Sequence, residues 1–285
     1  MTSPFDPLGL ASAWTEYATD AAQRTALFWD VMRERGNQWR EHQAQKAPNV
    51  LEFPFEIVMT GLDLPRHVNY GLVRIPAPAA TPTDPKKRPF IVVDPRAGHG
   101  PGIGGFKPDS EIGAALANGH ATYFIGFTPD PMPGQTLDDV FRAVVAFVRK
   151  VRALHPESEG LPVVIGNCQA GWMVMIAASL APDDFGPMLL AGAPLSYWAG
   201  QRGKNPMRYS GGLLGGSWLT ALSGDLGDGI FDGANLVANF EGLDPANTYW
   251  KKPYHLYANV DTEGARYLVF EKWWGAHVRL AAPEM

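Results

Sequence analysis

The chain contains one cysteine, Cys168. It sits in Val163-Val164-Ile165-Gly166-Asn167-Cys168-Gln169-Ala170-Gly171, where an apolar run leads directly into a helical one. A nucleophilic side chain between small residues at a strand-to-helix junction is the pattern of a nucleophile elbow. The turn is so tight that the residues two before and two or three after the nucleophile must be small, and Gly166, Ala170 and Gly171 meet that demand. The turn lifts the thiol to the start of a helix, where the helix dipole and free N–H groups favour a thiolate. The N–H of Gln169 is then placed to meet an oxyanion. A lone cysteine in a core is ordinarily an inert small hydrophobe. Here the context and the small neighbours favour a reactive group.

A second signal is Asp94-Pro95-Arg96-Ala97-Gly98-His99-Gly100-Pro101-Gly102-Ile103-Gly104-Gly105, directly after the apolar run Phe90–Val93. With an elbow enzyme's geometry, this loop supplies the other oxyanion N–H, and glycines let its backbone approach a ligand closely. Gly98, His99 and Gly100 are the expected contacts. The same loop also reads as G-x-G-x-x-G through Gly100, Gly102 and Gly105, a dinucleotide fingerprint. Pro101 lies inside that turn, no acidic residue closes the next strand, and the Cys168 elbow would be unexplained, so the oxyanion reading is preferred.

His255 and His277 follow Cys168 in sequence, as the base of a triad should, but both stand in aromatic text that reads as helix. His42, His67, His120 and His155 read as surface or turn residues. No H-x-x-x-H or C-x-x-C spacing occurs, so no zinc site is expected. The aspartates after the elbow (Asp183, Asp184, Asp225, Asp228, Asp232, Asp244 and Asp261) read as caps and turns, since none ends a strand-like run.

These residues need a frame to hold them. Residues 11–46 read as an amphipathic helix stopped by Pro48. Phe55–Met59 and Tyr70–Ile75 read as a strand pair, followed by strands at 90–93, 122–127, 162–165 and 188–191. Helices are expected at 110–118, from Leu137 to Val151 and at 169–180. In the middle one, Leu137, Val140, Phe141, Val144, Val145, Val148 and Val151 form one apolar stripe. Short apolar runs alternating with helices predict an α/β fold with a mostly parallel sheet covered on both faces. The run before Cys168 should lie centrally in it. After Leu195 the alternation stops. Residues 197–247 lack periodicity, residues 248–277 read as aromatic-rich helix, and no strand is expected in this last third.

Length and charge narrow the classes. At 285 residues with 46% hydrophobic content, the chain can bury a large core. Its 31 glycines and 25 prolines fall short of the roughly 25–30% that marks low complexity. The net charge of −5 argues against a general nucleic-acid binder. One cysteine excludes an intrachain disulfide. No secretory signal or membrane-spanning run is visible, so a soluble cytoplasmic protein without a transmembrane segment is expected.

With these residues in view, the chain resembles polyhydroxyalkanoate synthases, and specifically a poly-3-hydroxyalkanoate synthetase-like family of α/β-hydrolase-fold proteins. The synthases carry a lipase-like box G-x-C-x-G-G. Gly166-Asn167-Cys168-Gln169-Ala170-Gly171 matches it except at Ala170. Phe124–Asp130, the helix start Leu137-Asp138-Asp139 and Phe270-Glu271-Lys272-Trp273-Trp274 are similar to further synthase segments, the last of them inside the cap. The resemblance covers roughly residues 48–285. It implies an α/β-hydrolase-like core at 48–196 behind an N-terminal helical segment at 1–47, with a cap-like insertion at 197–285. The synthases place the Asp and His of their triad after the cap, on closing strands that are not visible here. The expectation is a chain truncated inside the cap, with the last core strands missing.

The resemblance implies acyl transfer through a Cys168 thioester on hydroxyacyl thioesters or polyesters. No cofactor is required, coenzyme A thioesters are the natural donors, and polymer granules are a possible place of action. An esterase, thioesterase or depolymerase would use the same site with water as acceptor. A non-catalytic granule- or partner-binding protein could keep the fold without the chemistry.

Overall fold

The computed structural model describes residues 7–45, 48–193, 195–196 and 218–282. The uninterrupted apolar run before Cys168 becomes β5 (Val163–Asn167), which lies between two parallel partners, β3 (Phe90–Val93) and β6 (Met188–Ala191). A strand buried on both faces has no use for alternation, so the central position follows from the sequence. With β1 (Glu56–Thr60), β2 (Tyr70–Ile75) and β4 (Thr122–Phe127), the sheet runs β1-β2-β4-β3-β5-β6. β2 is antiparallel to both β1 and β4, and the other pairs are parallel. This order, with an elbow after the fifth strand, is the α/β-hydrolase arrangement.

Alternate residues of each central strand feed two cores. Ile91 and Val93, Tyr123 and Ile125, and Val164 face α3 (Leu137–Leu154) and α4 (Gln169–Leu180), where Val144, Phe147, Val148 and Val174 are buried against them. Val92, Phe124 and Ile165 face α2 (Glu111–Ala117) through Ile112 and Leu116. The apolar stripe expected on α3 is the stripe it buries. Its start is fixed by Thr136, which accepts from the Asp139 N–H while Asp139 Oδ2 accepts from the Thr136 N–H at 3.0 Å.

The chain passes from β3 through α2 to β4, then crosses back over β3 to reach β5. This reversal opens a crevice at the carboxyl ends of β3 and β5, the usual ligand position in such sheets.

The last third departs from expectation in one respect. Alongside α5 (Trp218–Leu226) and α6 (Ala234–Leu243), it contains two short strands, β7 (Ile230–Asp232) and β8 (Arg279–Ala281), paired antiparallel. From Ala276 to Leu280 buried and exposed residues alternate, a period-two pattern that the preceding aromatic helix obscures. The helical text around it resolves into α7 (Lys252–Ala258) and α8 (Val260–Trp274), preceded by a π-helical turn. The start of the expected cap, residues 197–217, lies outside the described residues.

The chain divides into two compact units that are not contiguous in sequence. One joins residues 1–45 to 238–275 and the other joins 46–237 to 276–285. In the first, α1 (Pro7–Ala44) packs on α7 and α8 rather than standing as a separate segment. Phe28 meets the Tyr257 ring edge-on, and the buried Glu271 carboxylate is paired by Arg35 at 2.7 Å and by Lys252. Among the described residues no helix is long and apolar enough to cross a membrane.

Candidate active site

Cys168 occupies the turn between β5 and α4 with φ 52° and ψ −124°. This region is sparsely populated for a residue with a side chain and costs about 1–3 kcal/mol. Two backbone bonds hold it: the Cys168 N–H donates to Ala191 O at 2.8 Å, and Cys168 O accepts from the Gly171 N–H at 3.0 Å. The small neighbours are needed for the reason the sequence suggested. A Cβ on Gly166 would lie 2.8 Å from Ala170 O, and one on Gly171 would lie 3.2 Å from Gly166 O and collide with the Ala193 side chain. The thiol is half-buried and makes no hydrogen bond among the described residues. Gln169 opens α4, so its N–H belongs to the unpaired first turn of that helix.

One prediction follows from the tightness of this turn. Gly171→Val should destabilise the fold by about 1–3 kcal/mol through overpacking against Ala193. The urea midpoint would fall with the slope unchanged. An unaltered midpoint would mean that the turn has slack.

The loop after β3 lies beside the elbow, because Val93 is in register with Gly166. Its conformation is set by Asp94, a residue to which the sequence reading assigned no role. Asp94 Oδ1 accepts from the Arg96 N–H at 2.9 Å, and Oδ2 accepts from Gly102 at 2.8 Å and Ile103 at 3.1 Å. Burial pushes this carboxyl up to about 7, against the opposing pull of the three N–H groups and the Arg96 charge.

Arg96 is itself buried, with a positive φ of 48°. Its guanidinium lies over Tyr70 and Phe127 and donates to Asn69 Oδ1 and to Arg279 O, both at 3.2 Å. Gln135 completes this buried network by donating to Asn69 Oδ1 at 2.9 Å and accepting from the Asn69 N–H at 2.8 Å. No short motif announces these partners, since they meet only in the folded chain.

The expected oxyanion residues are placed unequally. Gly98 has a φ of 90° and packs directly against the Gly233 backbone, where a Cβ would collide. Its carbonyl accepts from the Val278 N–H at 3.1 Å. The Gly100 N–H is already committed to Ala276 O. His99 is buried and forms an antiparallel bridge with His277. His277 is therefore in extended chain, exposed, and tied to the loop after β3, a correction to its helical reading. His255 lies exposed on α7, in the other compact unit. Asn167, the neighbour of Cys168, is buried, and its Nδ2 has no hydrogen-bond partner among the described residues. It faces Gly104, 3.6 Å from where a Cβ there would stand. No cluster of three or more His, Cys, Asp or Glu suited to a metal occurs among the described residues.

The family model described as protein of unknown function (DUF3141) matches residues 20–285. A curated relative from Rhizobium meliloti, "Uncharacterized protein in ackA 5'region", is 66% identical over 276 residues, or 97% of this chain. The chain spans 38% of that relative's length. Similar solved structures include a carboxylesterase of the thaumarchaeon Nitrososphaera gargenis, at 15% identity and TM-score 0.37, covering 60% of this chain and 53% of that one. Another is esterase B of Lactobacillus rhamnosis, at 12% identity and TM-score 0.36, covering 84% and 68%. The fold assignment stands on the strand order and the elbow of this chain.

Proposed function

The chain belongs to the family described as protein of unknown function (DUF3141), and we propose that within it Cys168 is the nucleophile of an acyl-transfer site acting on hydroxyacyl thioesters or polyesters. The observation that carries this reading is the strained backbone of Cys168 at φ 52° and ψ −124°. An inert core cysteine has no need of such a conformation, and strain of this kind gathers at functional turns.

The reaction runs in two halves. The Cys168 sulfur attacks the acyl carbonyl carbon, a C–S bond forms, and the bond to the leaving thiolate or alkoxide breaks as that group takes up the thiol's proton through a base. A hydroxyl or water then attacks the thioester carbon, returning the proton and the electron pair to sulfur. The Gln169 N–H supports the developing oxyanion. Because Gly100, Gly102 and Ile103 already spend their N–H groups, the second donor in this reading is the Gly98 N–H. The Asp94 carboxylate positions that loop without touching the substrate.

No imidazole or carboxylate bonds the thiol among the described residues, and no residue is assigned the role of general base. The test uses the full-length protein with 3-hydroxybutyryl-coenzyme A. Release of coenzyme A with ester-linked product supports transfer, and release with free 3-hydroxybutyrate supports hydrolysis. No release with this or other acyl thioesters and esters would leave the fold serving as a binding module.

A further inference from the structure

We propose that an apolar cavity on the β1–β2–β4 side of the sheet receives the aliphatic tail of the acyl group, an inference that rests on the acyl-transfer reading above. The cavity measures about 260 Å³. Its floor is one face of three strands, with Gly71 on β2 in register with Gly126 on β4, and Val73 in register with Phe124. Ile57 on β1 lies opposite Val73, and Leu62 and Pro101 also line the cavity.

The glycines explain why the space exists. A glycine inside a strand weakens it and often marks the close approach of a ligand. Gly71 is not required by the backbone, since its φ lies outside the left-handed region, nor by packing. A Cβ there would meet only Met59 O, at 3.6 Å. What glycine provides at this position is open floor.

The lining also specifies the occupant. Among the described residues no charged side chain lines the cavity. Its polar side chains are engaged elsewhere: Asn69 donates to Thr128 O and accepts from Arg96 and Gln135, Thr60 Oγ1 donates to Asp63 at 3.0 Å, and Asn49 Oδ1 accepts from the Leu51 N–H at 3.3 Å. A polar or ionic ligand would lose its hydration with little in return, whereas an aliphatic chain loses nothing.

Position links the cavity to the elbow. Pro101 belongs to the loop after β3, one residue before the Gly102 N–H that Asp94 holds. β4 stands two strands from β5 in the sheet, a lateral offset of roughly 10 Å at about 4.8 Å per strand. A medium-length acyl chain bridges that distance.

The experiment separates the cavity from the chemistry. Sodium decanoate is titrated into full-length Cys168→Ala protein by calorimetry, with and without Gly71→Leu. Saturable binding weakened at least about tenfold by Gly71→Leu is expected, because the leucine displaces the burial of two or more methylenes. In the Cys168-containing protein, the ratio of decanoyl to butanoyl kcat/KM should fall with the same substitution. Equal decanoate affinity in both proteins, or no binding to either, would overturn the proposal. Absence of turnover with every thioester would overturn the acyl-transfer reading while the titration still decides the cavity. If Gly71→Leu fails to fold, Gly71→Val fills the same floor with a strand-favouring side chain.

Discussion

Replacing Cys168 with alanine should abolish acyl turnover in the full-length protein, lowering it by at least about 10³-fold, as removal of a covalent nucleophile does elsewhere. The fold should survive, because alanine is smaller and the thiol makes no hydrogen bond among the described residues. Relief from the conformation at φ 52° is not gained by alanine, which shares the steric limits of cysteine, so the urea midpoint should change little. Glycine tolerates that conformation, and Cys168→Gly should be the more stable of the two variants. The comparison separates strain at the turn from the chemistry of the thiol. Turnover persisting in Cys168→Ala would place the nucleophile elsewhere.

The second large effect concerns Asp94. Asp94→Ala removes the acceptor of three N–H groups in the loop after β3, those of Arg96, Gly102 and Ile103, and also removes a charge near the buried Arg96 guanidinium. A loss of about 3–5 kcal/mol is expected, since each buried donor left unmade is costly. Differential urea unfolding measures it, and a loss below about 1 kcal/mol would show that the loop is held by other means.

The same residue predicts a pH dependence. Burial pushes the folded carboxyl up to about 7, above the ordinary value near 3.9, so the folded state binds this proton more tightly than the unfolded one. Its contribution is full below about 4 and is lost as pH rises through about 7. Between these limits, stability should decline with pH more in the wild type than in Asp94→Asn. Parallel curves would contradict the shift.

These two residues mark the difference between what was legible in the sequence and what was not. Cys168 could be found because an elbow is local: nine consecutive residues carry the strand, the tight turn, the small neighbours and the helix start. The sheet core was legible for a related reason, since α3 displays its buried face as a stripe and β5 as a solid apolar run. Arg96 was passed over because its side-chain partners come from distant segments, and Asp94 because its partners are backbone N–H groups, which carry no residue signature. Arg96 reaches Asn69 and Arg279, and no spacing rule connects positions so far apart. The extended segment at Ala276–Ala281 was lost for a third reason. It is short, it follows the aromatic helix α8, and its pairing with Gly98–Gly100 joins segments far apart in the sequence. That pairing removes the Gly100 N–H from the expected oxyanion set and brings His277 out of helical text to the loop after β3.

The most direct test of the account is peptide mapping after brief exposure of the full-length protein to a 3-hydroxybutyryl thioester, quenched in acid to preserve thioesters. The account predicts one added 3-hydroxybutyryl group on the peptide containing Cys168, released by hydroxylamine at neutral pH and missing in Cys168→Ala. An acyl group on another residue while Cys168 stays unmodified, with turnover proceeding, would contradict it.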